Sequence, residues 1–165
     1  LAATGVQVWQ SHSPTLAGVL TEQQRADFAN ATDADVVLSL HVDRAPRPAP
    51  NGLATFYYGR DETSGSALGL HLASLIPREI VARTDLTDCR THPRTWDLLR
   101  RTRMTAVRVE MGYLTNPHDA ARLRDPAFRD LVAESIVVAL QRLYLPAESD
   151  PETGTMSLTD IAATS

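Results

Sequence analysis

The chain has 165 residues, 43% hydrophobic and 22% charged, with a formal net charge of −4, which suits one globular domain and is too short for two. All 16 basic residues are Arg, which removes lysine Schiff-base chemistry, and the single Cys89 excludes an internal disulfide or a cysteine zinc cluster. Four tail acids (Glu148, Asp150, Glu152, Asp160) account for the net charge, so the body up to Leu145 is balanced and lacks the basic excess that nucleic-acid binding needs.

No run approaches the roughly 18 apolar residues of a membrane span, and no signal-peptide pattern opens the chain. The chain starts on Leu1 and reads as a fragment. Residues 1–4 read as a last helical turn ended by Gly5, and "GVQVW" (5–9) alternates as a short strand does. Thr21 with Gln24 forms a capping box that opens a helix over 22–31. A strand follows over 35–41, apolar enough to be central, then a loop with Pro46, Pro48 and Pro50, then a second strand, "LATFYYG" (53–59). Leu68, Leu72, Leu75 and Ile76 give helical spacing over 64–83, where Pro77 predicts a kink or a break.

"AVRVEMGYL" (106–114) reads as a strand around one carboxylate, and Pro117–Arg124 as a short helix. Pro126–Tyr144 forms a helix with Phe128, Leu131, Val132, Ile136, Ala139, Leu140 and Leu143 as its buried stripe. Strands alternating with helices predict an α/β fold: a mostly parallel twisted sheet with helices on both faces. The domain is expected over residues 1–145, followed by an acidic flexible tail over 146–165.

In such sheets, ligands sit beyond the carboxyl ends of the strands. His41 lies at one such end and Glu110 near another. His41 is either a strand-end histidine bonded to backbone or a ligand held at the mouth of a cleft. Glu110 is either an edge carboxylate, facing water or paired with Arg108, or a placed catalytic group, because burying an unpaired charge costs several kcal/mol. Val107, Val109 and Met111 take one strand face, while Arg108 and Glu110 share the other. Gly112 implies a close backbone approach. Asn116 reads as a turn-former, His118 as a possible helix cap, His71 as a helix residue and His92 as a loop residue; nothing sets a base beside Cys89.

"VRVEMGYLTN" (107–116) closely resembles the signature of the zinc-dependent N-acetylmuramoyl-L-alanine amidases of the type 3 family, with "WDLLRRTRMTAV" (96–107) similar to its lead-in. "RADFANATDADVVLSLHVD" (25–43) and "NGLATFYYG" (51–59) resemble two further segments of that family, in order. "REIVARTDLTDCRTHPRTWDLLR" (78–100) and "TGT" (153–155) are similar, more narrowly, to amidase-like proteins of actinobacteria. The resemblance implies zinc as cofactor, His41 as a zinc ligand and Glu110 as the catalytic carboxylate. The substrate implied is peptidoglycan or a muropeptide, cut at the amide between N-acetylmuramic acid and the first L-Ala.

In that family, the other two zinc ligands are a His ending the first strand and a Glu on the next helix. Both would lie before Leu1, so this fragment supplies one ligand of three. Asp43 stands where the family usually has Asn; Ser11-His12 stands where a Thr/Ser-Arg pair is common, which keeps His12 off the ligand positions. The alternative is a non-catalytic amidase-like module that regulates wall synthesis by binding a precursor or a protein partner. The hydrolase would work outside the cytoplasm at the cell wall, the regulator inside it.

Overall fold

The first helix, α1 (Glu22–Asn30), starts where its capping box puts it: Thr21 Oγ1 accepts from Gln24 N at 3.2 Å, and Gln24 Oε1 from Thr21 N at 2.9 Å. A computed structural model describes residues 5–11 and 19–159, so His12 and the helical turn expected over residues 1–4 lie outside the described residues. After α1 come β1 (Val36–Asp43), β2 (Leu53–Asp61), β3 (Ser64–Gly65) and α2 (Ala67–Arg83). The chain continues through β4 (Asp88–Arg94), α3 (Asp97–Arg101), β5 (Thr105–Tyr113), α4 (Pro117–Arg124) and α5 (Pro126–Leu143). No described helix is long and apolar enough to cross a membrane.

The sheet is mixed, not mostly parallel. β1 runs parallel to β5 and β4 parallel to β2, but β2 and β5 meet antiparallel, and β3 folds back on the end of β2. The cause lies in the link from β1 to β2, which contains no helix. A parallel return needs a crossover of a dozen or more residues, so β2 comes back reversed. Among the described residues β1 is an edge strand rather than a central one, and Leu40 and Val42 are exposed on it.

The period-2 pattern sorts the side chains into two layers. Leu53 and Tyr57 of β2 and Val107 and Val109 of β5 face α2 and α5, where Leu72, Ile76, Ile80, Ile136 and Ala139 complete the main core. Leu72, Ile76 and Ile80 are fully buried at i, i+4 and i+8, each worth about 2 kcal/mol of transfer free energy. The opposite face carries Phe56, Ala106 and Leu99, with Val37, Tyr58 and Trp96 against them. Helices α1 and α3 pack on each other. Helices therefore cover both faces.

Three local expectations change. Residues 6–10 form no strand, and Val6, Val8 and Trp9 are exposed, because no described strand offers them a ladder. Asp88–Arg94 is a strand, so His92 lies on β4 and not in a loop; β2 supplies the register through Phe56↔His92 and Tyr57↔Pro93. Pro77 does not break α2, which runs on to Arg83. A proline removes the hydrogen bond to the carbonyl four residues back. Here that carbonyl, Ala73 O, accepts instead from Thr55 Oγ1 at 2.6 Å and Thr91 Oγ1 at 3.0 Å.

Beyond α5, the acidic segment is gripped through its main chain. Arg142, fully buried on α5, donates to Pro151 O at 2.6 Å and Glu152 O at 2.8 Å and pairs with Asp150. Arg83 of α2 donates to Met156 O. Glu79, also fully buried, pairs with Arg142 at 2.9 Å and with Arg83, and accepts from Gly154 N at 3.4 Å. Gly154 has φ +80°, and a Cβ there would lie 3.2 Å from Ala82 Cβ, so glycine is the residue that fits.

Candidate functional site

His41 and Glu110 are register partners on neighbouring parallel strands, which places their backbones about 4.8 Å apart. Both project on the face opposite the main core, with Ser39 and Arg108 one step back on the same two strands. The ladder shifts immediately after His41, and Leu114 N then bonds Asp43 O at 2.9 Å. The pair thus sits where β1 and β5 stop being a regular ribbon, at their carboxyl ends.

The imidazole is fixed by its own strand. Ser39 Oγ lies 2.7 Å from His41 Nε2, and no described residue is hydrogen-bonded to Nδ1. Burial, then the positive charges of Arg108 and Arg25, hold His41 below its ordinary pKa, while Glu22 and Asp43 pull the other way. A neutral imidazole with one nitrogen tied and one open is the form that can ligate a metal.

Glu110 is buried and paired: Arg108 Nε and Nη2 reach its Oε1 at 3.0 and 2.8 Å. Burial pushes the Glu110 carboxyl above its ordinary pKa; Arg108 opposes this, and the Asp43 carboxyl adds to it. The carboxylate is therefore more basic than a free glutamate and suited to accept a proton. Of the two readings of Glu110, the pairing with Arg108 is present, and it coexists with burial in the face that His41 shares.

Just past the pair, Gly112 (φ +124°) lets the backbone pass over Asp119, where a Cβ would lie 2.9 Å from its Oδ2. That oxygen accepts from Gly52 N at 2.9 Å and Tyr113 N at 3.0 Å, tying the proline-rich loop to the end of β5. Asn116 acts as the turn-former: its side chain caps α4 by accepting from His118 N and Asp119 N, and it donates to Pro48 O at 2.8 Å. His118 is not the cap, since Asn116 takes that role. His71 is exposed on α2, and His92 contacts Cys89 O at 2.8 Å. Cys89 donates to Asn51 O, and burial raises its thiol pKa.

Among the described residues no group of three or more His, Cys, Asp or Glu side chains is placed to hold a metal. Two hollows, of about 510 Å³ beside Tyr58, Arg60 and Asp61 and about 190 Å³ beside Asn51, Asp85 and Arg122, include neither His41 nor Glu110. Sequence reasoning missed Ser39 and the reach of Arg108 to Glu22. The first was readable from the S-x-H spacing, which puts both side chains on one strand face; the second spans 86 positions and left no local signal.

A mixed sheet clothed by helices on both faces, with a histidine and a glutamate at adjoining strand ends, is an α/β domain whose candidate site lies at the carboxyl ends of its strands. The sequence profile of the N-acetylmuramoyl-L-alanine amidases matches residues 1–142, and the chain belongs to that family. It is 47% identical over 143 residues to the N-acetylmuramoyl-L-alanine amidase CwlM of Mycobacterium tuberculosis, covering 87% of this chain and 35% of that protein. The amidase LytC of Bacillus subtilis is 29% identical across 69% of this chain and 22% of its own length. The chain thus spans about a third or less of these relatives. Among solved structures, an N-acetylmuramoyl-L-alanine amidase of Clostridium difficile superposes with a TM-score of 0.67 at 26% identity, covering 74% of this chain and 64% of its own. The Ami1 amidase of Mycobacterium smegmatis shares the fold, with a TM-score of 0.75 over 86% of this chain and 68% of its own, at 24% identity.

Proposed function

We propose that this chain belongs to a peptidoglycan hydrolase that cuts the amide joining N-acetylmuramic acid to the L-Ala of the stem peptide. The observation that carries the reading is the register pairing of His41 with Glu110 in a chain of this family. His41 fits a metal: Nε2 is held by Ser39, Nδ1 has no described partner, and burial favours the neutral ring. In this reading His41 is one of the three zinc ligands that the family pattern implies. Zinc, when bound, supplies a Lewis acid and lowers the pKa of a water molecule held beside it.

The chain's own part is proton handling. Glu110, with its affinity for a proton raised by burial, takes a proton from the attacking water and returns one to the departing amine of L-Ala. Arg108 Nε donates to the same carboxylate at 3.0 Å. The substrate is then a polymer outside the cytoplasm, and the enzyme works at the cell wall.

The test uses the complete protein. It should bind about one zinc per chain and release stem peptides from purified peptidoglycan. Glu110→Gln should cut that release by about 100-fold or more while zinc binding stays at the wild-type level. A complete protein that binds no zinc sinks the hydrolase reading and leaves the non-catalytic wall-regulating module in its place.

A further inference from the structure

Arg108 is held on three sides. It lies on β5 between Ser39 of β1 and Phe56 of β2. Its Nε and Nη2 take Glu110 Oε1 at 3.0 and 2.8 Å, and its Nη1 takes Glu22 Oε1 at 3.1 Å. The guanidinium carbon sits 4.7 Å from the ring centroid of Trp96, the residue just before α3. Glu22 is the first residue of α1, and its second oxygen faces Leu98 N at 3.5 Å. One planar cation thereby joins β5, α1 and the start of α3.

The geometry of the fork matters more than its charge. Both contacts to Glu110 fall on one oxygen, so Oε1 is anchored and Oε2 is left without an ion-pair partner among the described residues. Without Arg108, the Glu110 carboxylate would have no ion-pair partner among the described residues to hold Oε1 in place. A lysine could supply the charge but neither the two-pronged grip nor the stack on Trp96.

We propose that Arg108 is the positioning residue of this site, fixing the Glu110 carboxylate by Oε1 and tethering it to the first turn of α1 through Glu22. Its consequence for turnover rests on the hydrolase reading; the tether itself does not.

The experiment compares Arg108→Met, Arg108→Lys and Glu22→Gln in the complete protein, acting on purified peptidoglycan fragments. Arg108→Met should lower kcat by about 10- to 100-fold with KM within about twofold and zinc affinity unchanged. Arg108→Lys should recover part of kcat. Glu22→Gln should give a smaller drop that disappears when Arg108 is already Met. Wild-type kcat in Arg108→Met, or a loss carried by KM, overturns the proposal.

A melting cycle runs beside it on the metal-free protein, with Arg108→Met, Glu110→Gln and the double variant. The drop in Tm caused by Arg108→Met should shrink when Glu110 is already Gln, and additive drops overturn the tether. Should the wild-type protein release no stem peptide, the hydrolase reading falls and the melting cycle alone decides Arg108. If Arg108→Met does not fold, Arg108→Lys against Glu110→Gln completes the same cycle.

Discussion

Glu110 carries opposing influences, and their balance has a measurable sign. Burial outweighs Arg108 and holds the carboxyl above its ordinary pKa. Between the ordinary and the raised value the folded state binds more protons than the unfolded, so stability falls as pH rises through that window. Melting temperatures of the metal-free protein and of Glu110→Gln, followed from about pH 4 to about pH 8, should show the wild type losing ground to the variant as pH rises. A constant difference would mean that Arg108 fully compensates burial. His41 has the reverse sign. Its folded value lies below the ordinary one, so stability drops as pH falls from the ordinary histidine range toward the folded value.

At the scale of elements, α2 shows how a proline is accommodated inside a helix. Thr55 on β2 and Thr91 on β4 both donate to Ala73 O, the carbonyl that Pro77 orphans. Thr55→Val and Thr91→Val should each cost about 1 kcal/mol, and together more than the sum, since a buried acceptor left bare costs about 1–3 kcal/mol. Pro77→Ala returns an N–H to that carbonyl and should rescue the double variant in urea unfolding. Failure of the rescue would assign the cost to packing. Elements with strong local chemistry were legible in the sequence: the Thr21–Gln24 box, Pro117 and Pro126 at helix starts, and the apolar runs of β1, β2 and β5. β4 was not, because "DCRTHPR" has neither alternation nor β-branched density and is a strand only by pairing with β2. "GVQVW" failed in the opposite direction, with the right alternation and no described neighbour to pair with. For the site, alternation put Arg108 and Glu110 on one face, and the strand ends brought in His41. The orientation of β2, the place of β1 at the edge of the described strands and the Glu22 contact are tertiary facts, with no trace in local pattern.

For the whole molecule, the charged junction between α2, α5 and the acidic segment ties parts that are distant in sequence. Glu79 and Arg142 are buried in full, with Arg83 and Asp150 beside them. Glu79→Ala would leave Arg83 without its carboxylate and Arg142 with Asp150 alone, and should destabilise by about 3–5 kcal/mol, read by thermal melting. Ending the chain after Leu145 removes Asp150 and three accepting carbonyls, and Tm should fall. An unchanged melting curve would show that water replaces those contacts at no loss. The domain is accordingly proposed to extend past residue 145, up to the segment around Met156.

The grip on that segment falls largely on peptide groups, the carbonyls of Pro151, Glu152 and Met156 and the amide of Gly154, beside the Asp150 carboxylate held by Arg78 and Arg142. Such a fastening senses the path of the chain and is largely indifferent to which side chains decorate it. At the exposed Pro151 and Glu152, other residues should keep the same main-chain contacts.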